Sequence, residues 1–194
     1  MRDCCRRYQG LRTNLRNGSP MPAQITLQNL TLVFGGAASG KSKYAEKLIF
    51  ESGLERFYIA TSQVYDDEMR AKVEQHKVQR GDGWTTIEEP TNVSKALDNV
   101  SADGVVLIDC ATLWLTNLML SEANIDAMIP EFIEACRRCP APVVVVSNEL
   151  GLGIVPETSM GRRFRNLHGA MNQQIAAAAD HVVFVAAGLP MVLK

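Results

Sequence analysis

The feature that most narrows what this chain can fold into is the run Gly35-Gly36-Ala37-Ala38-Ser39-Gly40-Lys41-Ser42. It follows the apolar stretch Leu30 to Phe34 and opens a helical pattern over Lys41 to Phe50. Glycine, four residues, glycine, lysine and serine in that order make a Walker A loop when a strand precedes and a helix follows. The glycines let the backbone approach a ligand closely, so that successive amide hydrogens converge on phosphate oxygens at the start of the helix. Lys41 adds a full positive charge, and the Ser42 hydroxyl is placed to bind a Mg2+ ion bridging the phosphates. The eight residues from Gly35 to Ser42 are therefore read as a nucleotide cradle.

The rest of the chain repeats the same strand-then-helix rhythm. Short apolar runs occur at Phe57 to Thr61, Val105 to Cys110, Val143 to Ser147 and Val182 to Ala186. Runs this rich in valine suit strands buried on both faces of a parallel sheet. Helical patterns fall at Asp66 to Arg80, Ala111 to Glu122, Pro130 to Arg138 and Met160 to Ala179, with further strands expected at Trp84 to Glu88 and Met191 to Lys194. The expected fold class is α/β: a P-loop, RecA-like, mostly parallel sheet with helices on both faces, in one domain. Asp109 ends one of these apolar runs. An acid there is of Walker B type and reaches Mg2+ directly or through water, although a buried strand also ends in a solvated acid for no catalytic reason.

Charge excludes some partners. Lysine and arginine total 20 against 21 acidic residues, a net charge of -1, so nothing draws the chain generally to nucleic acid or to an anionic membrane. No apolar run approaches the roughly 18 residues that span a bilayer. Five cysteines without a secretory pattern point to a reducing cytosol, and Cys136-x-x-Cys139 lacks the second ligand pair of a structural zinc site. Residues 1 to 20 carry five arginines, little apolar periodicity and a closing Asn-Gly-Ser-Pro before Met21. They are read as an appendage to a domain spanning 21 to 194.

One histidine adds a different chemistry. On a helix, Met69, Val73, His76 and Arg80 share a face, and Lys72 and Arg80 each lie four residues from His76. Those two charges disfavour protonation of the imidazole. With a reference pKa of roughly 6.5, histidine is largely neutral and nucleophilic near pH 7, whereas lysine is not. A core histidine docked beside Met69 and Val73 fits the same residues.

Several blocks in order resemble the family of bifunctional adenosylcobinamide kinase and adenosylcobinamide-phosphate guanylyltransferases. They are the P-loop with Ala45-Glu46, Tyr58 to Thr61, Asp67-Glu68-Met69 with His76, Trp84 with Glu88-Glu89-Pro90, and Asp109-Cys110 with Leu113 to Asn117. Ser147-Asn148-Glu149, Gly151 to Pro156, Arg162 to Arg165 and Asn172-Gln173 follow. The resemblance implies two reactions. Adenosylcobinamide is phosphorylated on its aminopropanol hydroxyl, with ATP or GTP as donor. GMP then passes from GTP onto that phosphate through a histidine phosphoramidate, giving adenosyl-GDP-cobinamide and pyrophosphate.

It also implies that His76 is the nucleophile, that Ala60, Thr61, Ser62, Lys77, Val78, Gln79, Arg80, Glu88 and Asp109 contact nucleotide, and that the protein is a homotrimer. Glu88 would face the guanine. Asn148 and Glu149 are candidates without an assigned contact, and Gly151 and Gly153 fit either a hinged loop or a plain turn. The family commonly has arginine where this loop has Ala38, so one cationic phosphate contact is missing. A small-molecule P-loop kinase without covalent chemistry, or a nucleotide-dependent switch, are the competing readings.

Overall fold

The computed structural model describes residues 27–63 and 81–194, together with Asp67, Ala71, Val78 and Arg80. Seven strands form one sheet: β1 Leu30–Gly35, β2 Glu55–Ala60, β3 Trp84–Glu88, β4 Gly104–Asp109, β5 Val143–Asn148, β6 His181–Ala186 and β7 Leu189–Val192. Their spatial order is β3-β2-β4-β5-β1-β6-β7, and every pair is parallel except the β6/β7 hairpin.

The helices are α1 Lys41–Ser52, α2 Val93–Leu97, α3 Ala111–Leu120, α4 Ile125–Arg138 and α5 Ser159–Ala178. Side chains alternate along each strand between two apolar layers. In β4, Val106 and Ile108 join a core with α2, α3, α4 and α5, while Val105 and Leu107 join a second core with Ala45 and Ile49 of α1. Both faces are covered, so the valine runs carry almost no polar break.

The chain leaves β1 through α1 on one face and leaves β5 through α5 on the other. The carboxyl ends of β1 and β5 thus lie at a topological switch point, where open α/β sheets place their ligands.

Most boundaries fall within two residues of expectation, and the clearest differences concern three elements. The helix expected from Pro130 begins at Ile125, because the Asn124 side chain accepts the Ala127 N–H and caps it earlier, leaving Pro130 inside. The last strand is Leu189–Val192 rather than Met191 to Lys194, since it turns back tightly on β6 with Ala186 opposite Leu189. The short helix Val93–Leu97, capped by Asn92, had no sequence expectation. Of the helix expected over Asp66 to Arg80, the described residues Asp67, Ala71, Val78 and Arg80 are helical. The tail at residues 1 to 20 lies outside the described residues.

Candidate active site at the carboxyl edge of the sheet

β1 ends in Gly35, where a Cβ would run into the Val185 carbonyl and the Ser39 hydroxyl, so only glycine fits between β1 and β6. Gly40 stands at φ 91° immediately before α1, a backbone region that costs glycine nothing. Between them Ala38 holds φ 53°, the left-handed region that disfavours a side chain. The loop is pinned at both ends: Glu149 N–H donates to Gly35 O at 2.9 Å, and Gly188 N–H to Ser39 O at 2.8 Å. Gly36, Ala37, Ala38 and Ser39 line a cleft of about 440 Å³ with Glu149, Leu152 and Phe184 to Ala187. The first amides of α1 are unbonded by geometry and open on this loop.

Lys41 bends back so that its ammonium donates to Gly36 O at 3.2 Å. Burial pulls its pKa below the usual lysine range, with Cys110 and Asp109 opposing that shift. Burial, reinforced by Asp109, pushes the Cys110 thiol up to about 12, so at neutral pH Cys110 is an uncharged thiol and Asp109 is the counter-charge.

Asp109 closes β4 and accepts from the Tyr58 hydroxyl at 3.3 Å. Burial first, then Asp109, raises the Tyr58 pKa, which keeps the phenol a donor. The Arg80 guanidinium lies 3.3 Å from the centre of the Tyr58 ring, and its Nε and Nη1 are buried without a hydrogen-bond partner. Arg80 is thus a cation held by an aromatic face with two donor nitrogens still to satisfy.

The remaining sequence-expected residues separate into two groups. Ala60 ends β2 beside Asp109 in register. Thr61 is fully buried, and its hydroxyl both donates to Cys110 O and accepts Cys110 N–H at 2.8 Å, which makes it a tie between β2 and β4. Ser62 is half-buried, Glu88 is exposed at the end of β3, and Val78 is 81% exposed. His76, Lys77 and Gln79 lie outside the described residues. No group of three or more histidine, cysteine or acidic side chains able to hold a metal occurs among the described residues. Cys136 and Cys139 are buried free thiols, Cys136 in α4 and Cys139 just past its end.

A polar network that the sequence did not disclose lies directly behind the β5 corner. His168 of α5 is 1% exposed, and its Nε2 lies 2.9 Å from Thr112 Oγ1 and 3.3 Å from Ser147 Oγ. Asn172 Nδ2 donates to Asn148 O at 2.9 Å, which directs its Oδ1 to receive the Ser147 hydroxyl at 2.7 Å. Thr112 Oγ1 accepts Asn148 N–H at 2.9 Å, leaving its own hydrogen for His168 Nε2. A neutral His168 with a bare Nε2 receives the Thr112 hydrogen, and Ser147 Oγ, whose one hydrogen goes to Asn172, is then a neighbour of the ring and not a donor to it.

Burial lowers the His168 pKa to about 4 against a partial counter-effect from Glu149. In the unfolded chain the ring titrates near the ordinary value of about 6.5, so the unfolded state binds more protons between those values. Stability from this group is complete above pH about 6.5 and is lost as pH falls to about 4, by an amount on the order of 2 to 3 kcal/mol. Urea unfolding at a series of pH values should show that loss in the wild type and a smaller one in His168→Gln. Equal slopes in the two proteins would contradict the assignment.

A family model described as cobinamide kinase / cobinamide phosphate guanyltransferase matches residues 31–193. The chain is 42% identical to the bifunctional adenosylcobalamin biosynthesis protein CobU of Escherichia coli K12, over 85% of this chain and 99% of that protein. It is also 42% identical to the bifunctional adenosylcobalamin biosynthesis protein CobP of Pseudomonas aeruginosa, over 84% and 96%. Among solved structures, a Pyrococcus horikoshii OT3 protein superimposes with a TM-score of 0.53 at 10% identity, covering 88% of each chain. A type III secretion ATPase gives 0.52 at 10% identity, covering 85% of this chain and 57% of that one. These two likenesses concern the fold alone.

Proposed function

The chain belongs to the cobinamide kinase / cobinamide phosphate guanyltransferase family, and on that premise we propose that one P-loop serves two successive transfers. In the first, the aminopropanol hydroxyl of adenosylcobinamide attacks the γ-phosphorus of ATP or GTP, giving up its proton to solvent and expelling ADP or GDP. In the second, His76 attacks the α-phosphorus of GTP, forming an N–P bond and expelling pyrophosphate. An oxygen of adenosylcobinamide phosphate then attacks the same phosphorus, and the imidazole departs. Adenosyl-GDP-cobinamide is the product, and each bond formed is matched by one broken.

The observation that carries the reading is the cradle itself: a pinned glycine loop, an ammonium turned into it and an acid beyond it on β4. Lys41 and the loop amides hold the phosphates and meet the charge that grows on the bridging oxygens. The Arg80 N–H groups supply a second cation, which offsets the alanine at position 38. Ala60, Ser62, Lys77, Val78, Gln79 and Glu88 complete the nucleotide contacts, with Glu88 toward the guanine, while buried Thr61 holds the strand ends that carry them.

The donor set fits Mg2+. It offers hard oxygens from the Ser42 hydroxyl and the Asp109 carboxylate, with no protein cage among the described residues, as expected of an ion held largely by substrate phosphates. Ser42 and Asp109 would hold the ion, which supplies charge neutralisation between phosphates when bound.

Two wider expectations belong to the same proposal. The three described cysteines are free, in keeping with a reducing cytosol, and no described helix is long and apolar enough to cross a membrane. Exposed Leu189, Met191 and Leu193 at the sheet edge favour self-association as a homotrimer, which sedimentation at micromolar concentration tests; a monomer would contradict it.

Mass spectrometry of the corrinoid after incubation with GTP tests the two-step reading. A phosphorylated and then a GDP-linked product are expected. Phosphorylation without guanylylation would favour the plain kinase, and no corrinoid product would favour the switch.

A further inference from the structure

Asn148 ends β5 at the carboxyl edge of the sheet, next to the strand that opens the phosphate loop. It lies opposite Gly35 of β1, and two residues earlier on the same strand Val146 lies opposite Asp109 of β4. Alternation along β5 decides its face. Val143 and Val145 pack into the core beneath α3, α4 and α5, and Ser147 follows them toward His168 and Asn172. Val144 and Val146 pack into the core beneath α1, so Asn148 belongs to the face that carries α1, Lys41 and Asp109.

Both main-chain groups of Asn148 are clamped from behind. Its N–H goes to Thr112 Oγ1 at 2.9 Å and its C=O receives Asn172 Nδ2 at 2.9 Å, and the two clamps meet through His168 and Ser147. Its side-chain amide, by contrast, makes no hydrogen bond to any described residue and is only half-buried. The neighbouring carboxylate of Glu149 is turned into its own loop, where it accepts Gly151 N–H. The main chain of this strand end is fixed by buried partners while its side-chain amide stays unengaged and partly open, which leaves a positioned donor available to a ligand.

We propose that the Asn148 side chain is a donor to the terminal phosphate of a bound nucleoside triphosphate, positioned by the Thr112–His168–Ser147–Asn172 network. β5 runs between the phosphate-loop strand β1 and the Asp109 strand β4, and a fixed donor at its carboxyl end would distinguish a triphosphate from a diphosphate. His168 and Thr112 are positioning residues: they touch Asn148 or its clamps and not the nucleotide. The inference rests on the nucleotide reading of the site and needs no corrinoid.

Equilibrium binding of a non-hydrolysable triphosphate analogue and of the matching diphosphate, each with Mg2+, gives the preference as a ratio of Kd values. Asn148→Ala should lower that ratio about tenfold, the usual size of one hydrogen bond to a charged acceptor, while the diphosphate Kd stays within about twofold. Asn148→Asp, equal in size but anionic, should lower it further. Thr112→Val should share part of the loss and Thr112→Ser should restore it, since only the hydroxyl accepts Asn148 N–H.

Thermal unfolding of each variant is measured alongside. A ratio unchanged in Asn148→Ala, or equal weakening of both nucleotides, would overturn the proposal. Equal ratios for Thr112→Val and Thr112→Ser would overturn the positioning role. A wild-type protein that binds neither nucleotide would overturn the proposal together with the nucleotide reading. Normal triphosphate preference without corrinoid turnover would leave the proposal intact and remove only the substrate assignment.

Discussion

Lys41→Ala is expected to abolish both transfers together, lowering kcat/KM for each by on the order of a hundred- to a thousandfold. The ammonium already faces the cradle, donating to Gly36 O at 3.2 Å, so bound phosphate meets a charge that is in place. Burial works against that charge, and nearby Asp109 sustains it. An alanine there leaves the loop amides but removes the only full positive charge of the P-loop itself. Folding should change little, because the Lys41 side chain makes a single hydrogen bond, to the loop carbonyl. The two reactions are assayed separately, the second being started from adenosylcobinamide phosphate. Loss of one activity with the other intact would count against a shared site.

His76→Ala is expected to separate the two reactions. Guanylyl transfer should fall to background, since no nucleophile remains to take GMP from GTP, and kinase activity should persist at least in part, since phosphoryl transfer to a hydroxyl passes through no enzyme-bound intermediate. The other two histidines have different employment. His168 is buried in the network behind β5, and His181 Nδ1 lies 2.9 Å from Lys194 O at the sheet edge. A His76→Ala protein that still makes the GDP-linked corrinoid at the wild-type rate would remove His76 from the mechanism.

The P-loop was legible because its chemistry is local: glycines, lysine and serine at fixed spacing between an apolar strand and a helix have few other uses. The parallel sheet was legible for a similar reason, since Val143 to Val146 and Val105 to Ile108 are buried on both faces and so carry no polar alternation. What escaped was assembled by distant parts of the chain. Thr112 and His168 are 56 residues apart, and Tyr58 and Asp109 are 51 apart. Neither pairing leaves a mark on local periodicity. His168 is one histidine on a helix to any local reading, and its partners come from α3 and β5. Thr61 shows the reverse case: expected against the nucleotide, its side chain is fully used in tying β2 to β4. The strand end at Asn148 carried a family block but no assigned contact, and only its clamped backbone and unengaged amide give it a task.

A covalent bond between the protein and GMP is the most direct consequence of the two-step transfer. Incubation of the full chain with GTP labelled on the α-phosphate, followed by denaturation and peptide mapping, should place label on the peptide containing His76. That label should be released by acid, retained in alkali, as a phosphorus–nitrogen bond requires, and discharged by adenosylcobinamide phosphate. GTP labelled on the γ-phosphate should leave none there. Absence of α-label from a preparation that turns over adenosylcobinamide phosphate, or α-label on any other residue, would contradict the mechanism.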